Sequence, residues 1–201
     1  MTDGTLRDYI QLIVTESISD HLRSRGMDPD RPTVVVDEKT GTATFLLYDL
    51  GGRRVGYQQY NPEGSKKISG HGKQAGEKDL AKYFTFVGDE GKVKKLAVWG
   101  VDTMDPDDPI LFVTEGVFDI VKVHNAGYPG IAVLCNNPQP LRAWFRAMGK
   151  VTVAIEDNDS SGSKLRNVCD LHFTVPDPYK DLGDMPQDEV NQFLVSILSR
   201  I

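Results

Sequence analysis

"ILFVTEGVFDIVKVHNAGYPGIAVLC", residues 110–135, decides the fold. It opens on ILFVT, a short, continuously apolar, β-rich run. A run without polar alternation reads as a strand buried on both faces. VFDIVKVHNAG follows, of helical length and closed by Gly127. IAVLC then repeats the apolar run. Strand, helix and strand in this order form a βαβ unit, whose strands lie parallel.

The pattern continues downstream. VTVAI (151–155) and LHFTV (171–175) are two more such runs. PQPLRAWFRAMG (138–149) and GSKLRNVCD (162–170) have helical length, and Gly149 closes the first. A last helix is expected over about 186–200, with Pro186 in its first turn.

Upstream of residue 109 the periodicity differs. Leu6, Tyr9, Ile10, Ile13, Ser17 and Ile18 recur at helical spacing, which predicts an amphipathic helix over 3–25, capped by Thr2 or Asp3 and ended by Gly26. TVVVDEKTGTATFLLYDLGGRRVGYQQY (33–60) reads as three strands turning at EKTG and LGG, an antiparallel meander. AKYFTFVG (81–88) predicts another short strand, and LAVWGVD (96–102) a further element. The expected fold class is α/β: a Rossmann-like parallel sheet flanked by helices over 109–201, preceded by a smaller α+β subdomain over 1–108. The acidic, proline-containing DTMDPDDP (102–109) marks the boundary.

Composition narrows the function classes. The 201 residues are 39% hydrophobic and 26% charged, ordinary for a globular protein. No apolar run reaches the roughly 18 residues that span a bilayer, and MTDGTLRDYIQ lacks the features of a secretory signal. Cys135 and Cys169 have neither CxxC nor CxxH spacing, so they read as buried free thiols in a reducing cytoplasm. Charge is uneven. Residues 1–50 carry 5 basic and 9 acidic side chains (−4), residues 51–100 carry 10 and 5 (+5), and residues 101–201 carry 8 and 15 (−7), which sums to −6. The basic middle reads either as a solvated lysine surface or as a surface for phosphates.

The acids of the second half fall at strand ends. Glu115 follows ILFVT, Asp157 and Asp159 follow VTVAI, and Asp181 and Asp184 come shortly after LHFTV. Ligands of open parallel sheets gather at the carboxyl ends of the strands. If the chain stays extended, Asp157 and Asp159 point to one side. Taken alone, the pair reads first as a helix cap with loop residues. Taken together, these hard oxygen donors without His or Cys suit Mg²⁺ or Mn²⁺. Glu156, wedged before the pair, has no role at this level.

FVTEGVFDIVKVHNAG, VAIEDNDSSG and YKDLGD, in this order, resemble the TOPRIM domain of bacterial and phage primases, topoisomerases and some nucleases. The resemblance covers roughly residues 109–190. It implies catalytic and metal-binding roles for Glu115, Asp157 and Asp159, with Asp181 and Asp184 completing the metal site and Asp119 just behind it. FLLYDLGGRRVGYQQYN and AKYFTFVGDEGKVKKLAVWGVD are similar to the preceding part of primase catalytic cores. That likeness places Lys82 and Tyr83 near nucleic acid or nucleotide. Lys66, Lys67, Lys73 and Lys180 would then meet phosphates, and Tyr57, Tyr60 and Tyr83 would either stack bases or pack in the core.

The sequence departs from primases in lacking cysteines for a zinc ribbon and any GxxxxGK[ST] motif of a fused helicase. The function the resemblance implies is metal-dependent nucleotidyl transfer making RNA primers. Its substrates would be a single-stranded DNA template and NTPs, with a helicase or other replication protein acting in trans and no membrane. The expected location is the cytoplasm, the host's if the chain is phage-encoded. A TOPRIM nuclease and a non-catalytic nucleic-acid-binding accessory are the alternatives.

Overall fold

The computed structural model describes residues 16–49, 51–65, 81–90, 93–94, 96–134, 137–158 and 164–201. Helix α1 (Ile18–Ser24) leads into β1 (Val34–Asp37), β2 (Thr42–Tyr48), β3 (Arg54–Tyr60) and β4 (Tyr83–Val87), followed by a small hairpin of β5 (Asp89–Glu90) and β6 (Val93–Lys94). Then come β7 (Ile110–Thr114), α2 (Val117–Asn125), β8 (Gly130–Ala132), α3 (Arg142–Met148), β9 (Val151–Glu156), β10 (Leu171–Thr174) and α4 (Gln187–Leu198).

The meander forms as its alternation demands. β1 to β4 make one antiparallel sheet in sequential order. The even and odd positions of β2 divide cleanly, with Ala43, Phe45 and Leu47 buried and the residues between them half-buried. β7 to β10 form the second sheet, all parallel, in the order β10-β9-β7-β8. The chain runs from β7 to β8 on one side, then crosses back to β9 on the other side of β7. That reversal is a topological switch point, and it opens a crevice at the carboxyl ends of β7 and β9.

One core serves both sheets. Leu22, Phe45 and Tyr60 from the first half pack in the same buried cluster as Phe112, Phe118 and Val153 from the second. On the other face of the parallel sheet, Leu111, Val113 and Ala154 pack with Leu141, Phe145 and Leu165. Burial on both faces explains why β7 and β9 are continuously apolar, whereas β10, expected to be another such run, lies at the sheet edge and exposes His172 and Thr174.

The segment 96–102 joins the two sheets. Val98 exchanges two backbone hydrogen bonds with Tyr48 of β2, both 3.0 Å. The next residue, Trp99, donates to Ala132 of β8 at 3.0 Å and accepts from it at 2.9 Å. The buried Trp99 ring carries the Arg31 guanidinium 4.2 Å above its centroid. Arg31 also donates twice to Asp102, each at 2.8 Å, and once to His124 Nδ1 at 3.0 Å. Arginine only donates, so His124 Nδ1 is the acceptor and its proton sits on Nε2, which donates to Gly130 O at 2.9 Å.

Three local expectations are revised. The described part of the first helix starts at Ile18, because Ser17 is extended and caps it, its Oγ accepting from Asp20 N at 3.1 Å; residues 3–15 of the expected helix lie outside the described residues. GSKLRNVCD is described from Lys164 and holds one 3-10 turn, Leu165–Asn167, in place of a helix. Asn167 and Asp170 favour local side-chain bonds over helix, and Asp170 Oδ2 accepts from both Thr152 N and Thr152 Oγ1. Pro186 is the cap of α4 and stands outside its first turn.

Burial lowers the His124 pKa to about 4 from the usual 6.5. Its folded value lies below its unfolded one, so this stability is complete above pH 6.5 and is lost as pH falls toward 4. Acidification through that window should cost the wild type up to about 3 kcal/mol more than it costs His124→Gln. Chemical denaturation of the two proteins at several pH values measures the difference.

Candidate active-site cleft

The crevice at the switch point is a cleft of about 370 Å³ between the two sheets. β7 delivers Glu115, α2 delivers Asp119, β9 delivers Asp157, and the stretch after β10 delivers Lys180, Asp181 and Asp184. From the other side come Lys82 and Tyr83 at the start of β4. Residues from widely separated parts of the sequence thus face one space. Asp159 and the lysines Lys66, Lys67 and Lys73 lie outside the described residues.

Backbone contacts hold the strand ends in place. Leu134 N donates to Glu115 O at 3.1 Å. Leu134 does so from the left-handed region, at φ 51°, the one non-glycine with positive φ among the described residues. A leucine in that conformation costs about 1 kcal/mol, and Leu134 lines the cleft. Asn158 N donates to Lys180 O at 2.7 Å, and Asn158 Nδ2 to Asp177 Oδ1 at 2.8 Å, which ties the loop after β9 to the loop after β10.

Asp119 sits in the first turn of α2, where a carboxylate favours the helix dipole. Its carboxylate does more than that. Oδ1 accepts from Gly183 N at 2.9 Å and so pins the turn Leu182–Asp184 to α2. Burial pushes its pKa up to about 7, and the charges of Asp181 and Asp157 push the same way. The opposing influences are the Gly183 bond and the Arg25 guanidinium. The acids of this cleft therefore repel one another in earnest.

Two further lining residues were not singled out from the sequence. Arg25 caps the carboxyl end of α1 and lays its guanidinium 4.4 Å above the Phe118 ring centroid. It brings positive charge to the acids from a part of the chain that carries no motif. Gln58 comes from the buried face of β3. The alternation of the meander marked that position as inward-facing, and a polar residue there was the available signal.

The tyrosines divide. Tyr60 is fully buried, within 5.0 Å of Phe118 and 5.2 Å of Tyr83 between ring centroids, and its hydroxyl meets His21 Nε2 at 2.8 Å. It is core and offers no stacking surface. Tyr57 points to the opposite side of the sheet, against Phe84 and Phe86. Tyr83 alone reaches the cleft, and burial raises its pKa.

Glu156 stands apart from the cleft. Successive residues of a strand face opposite ways, so Asp157 meets the cleft and Glu156 turns inward, 1% exposed. Its Oε2 pairs with Arg166 at 2.6 Å and its Oε1 accepts from Arg166 N at 3.0 Å. The cation that offsets this acid is internal, which resolves part of the crowding in IEDND. Cys169 is half-buried, its thiol pushed up to about 12 by burial, and Cys135 lies outside the described residues.

The oxygen-only donors and their repulsion fit a hard divalent cation. Among the described residues, no group of three stands close enough to hold one ion unaided.

Solved structures share this architecture. The DnaG catalytic core matches with a TM-score of 0.60 at 15% identity, covering 96% of this chain and 76% of that one. The fold is that of a primase catalytic core. The DnaG primase catalytic domain bound to ssDNA matches at 0.54 and 16% identity, covering 90% and 64%. The primase fragment of the bacteriophage T7 primase-helicase protein matches at 0.53 and 13%, covering 78% and 62%. The chain thus spans less than two thirds of the last two. No protein-family model and no curated protein matches the sequence. Among the described residues, no helix is long and apolar enough to cross a membrane.

Two outcomes test the electrostatics. Asp119 has a folded pKa above its unfolded one, so it favours folding below about pH 4 and loses that advantage as pH rises to 7. Asp119→Asn should be more stable than wild type at pH 8 by about 2 kcal/mol, allowing for the residue's partial exposure to the cleft. The His124 and Asp119 slopes oppose each other between pH 4 and 6.5, so each is read as a difference between variant and wild type. Arg166→Ala leaves Glu156 buried without its cation and should lower stability in denaturant unfolding more than Glu156→Gln does.

Proposed function

We propose that the chain is a primase-like nucleotidyltransferase of TOPRIM type that joins NTPs into RNA primers on single-stranded DNA. One observation carries the reading: within a primase-core fold, Glu115 and Asp157 flank the switch point while Arg25, Lys82 and Lys180 line the same cleft. Acids beside bases at a strand-end crevice suit phosphoryl chemistry, in which charge spreads over phosphate oxygens. The match to a DnaG domain bound to ssDNA supports single-stranded DNA as template.

The residues divide the work by charge. Glu115 and Asp157, with Asp159, would hold Mg²⁺ or Mn²⁺, and Asp181 and Asp184 would complete the set directly or through water. Such an ion supplies charge neutralisation at the triphosphate and lowers the pKa of a bound hydroxyl. Arg25, Lys82 and Lys180 would bind phosphates of the nucleotide or template, with Lys66, Lys67 and Lys73 extending that surface. Asp119 fixes the turn that carries Asp181 and Asp184. A helicase or other replication protein would load the chain on its template, as the fused architecture of the T7 primase-helicase protein suggests by analogy.

With single-stranded template, labelled NTPs and Mg²⁺, the wild type should make short oligonucleotides. Glu115→Ala and Asp157→Ala should each reduce synthesis at least 100-fold, and Arg25→Ala about tenfold. Template degradation in place of synthesis would indicate the nuclease. Template binding without chemistry, unchanged in both acid variants, would indicate the accessory role.

A further inference from the structure

Gln58 occupies the core-facing side of β3, opposite Phe45 of β2 and Thr85 of β4. It is 6% exposed, in a row where Phe45 and Tyr60 are fully buried. A carboxamide in such a row is costly unless its donors and acceptor are used. The protein uses part of it: Nε2 donates to Thr85 Oγ1 at 2.9 Å. The carbonyl end takes no hydrogen bond from the described residues. Gln58 lines the cleft together with Lys82 and Tyr83. The Thr85 hydroxyl both donates and accepts, so turning the amide over changes which end is free and still leaves one free.

Gln58 is the one carboxamide among the described lining residues. The acids and bases around it suit ions and phosphates. A neutral amide, with both donor and acceptor capacity, suits neutral polar groups. On a nucleotide these lie on the nucleoside, as ribose hydroxyls and the base edge. Resting on the nucleotidyl-transfer reading above, we infer that Gln58 hydrogen-bonds the nucleoside half of the bound nucleotide and sets the preference among nucleotides.

The test compares nucleotide binding with binding of inorganic triphosphate, which lacks a nucleoside. Wild type, Gln58→Met and Gln58→Leu are titrated with Mg²⁺ and each of the four NTPs, the four dNTPs and inorganic triphosphate, after thermal unfolding confirms that the variants fold. Gln58→Met, close in shape, serves if Gln58→Leu does not fold. The expected result is about tenfold weaker binding of the preferred nucleotide with inorganic triphosphate unchanged. A loss for NTPs greater than for dNTPs supports the inference through the ribose, and a loss confined to certain bases supports it through the base edge. Equal weakening of nucleotide and triphosphate, or no change in either, overturns it while the parent reading stands. A wild type that binds neither ligand overturns both.

Discussion

Two consecutive residues, Val98 and Trp99, belong to different sheets. Val98 pairs with β2 and Trp99 with β8, so a single peptide fixes the distance between the antiparallel and parallel layers. The cleft depends on that spacing, because Arg25 and Lys82 come from one side and the acids, with Lys180, from the other. Arg31 reinforces the joint by covering the Trp99 ring while bonding Asp102 and His124. Its charge is offset by Asp102, and its planar head matches the carboxylate fork and the aromatic face together.

The cleft concentrates unfavourable electrostatics that the fold must carry. Burial, and after it the charges of Asp181 and Asp157, raise the Asp119 pKa to about 7. At Asp119, the Arg25 guanidinium and the Gly183 amide act against that rise. Leu134, held at positive φ on the cleft wall, adds backbone strain at the same place. Stability given up at one site in this way is the usual physical mark of a site kept for a ligand. Glu156 shows the contrast. An acid of the same segment, facing inward, is satisfied by Arg166 and belongs to the packing.

Much of the fold was legible along the chain. The unbroken apolar runs of ILFVT and VTVAI announced strands covered on both faces, and both are buried as parallel neighbours. TVVVDEKTGTATFLLYDLGGRRVGYQQY read as three strands of an antiparallel meander, and they pair so. The misreadings have separate causes. Ser17 fitted the helical spacing but also fits a cap, and only its extended backbone chooses. GSKLRNVCD had helical length, yet its described part is shaped by contacts from Thr152 and Glu156, which the sequence does not bring near.

The sequence by itself determined which residues are acids and that they fall just after strands. It could do so because burial and backbone pattern repeat at short range, with periods of two and of three to four residues. It did not determine that β9 sits beside β7, so that Glu115 and Asp157 flank one crevice. Nor did it show that Arg25 and Gln58 face that crevice, or that Glu156 turns away from it. Strand order and sheet-to-sheet packing are long-range contacts, set by the burial of the whole apolar surface. Only the tertiary structure decides which charges meet across them.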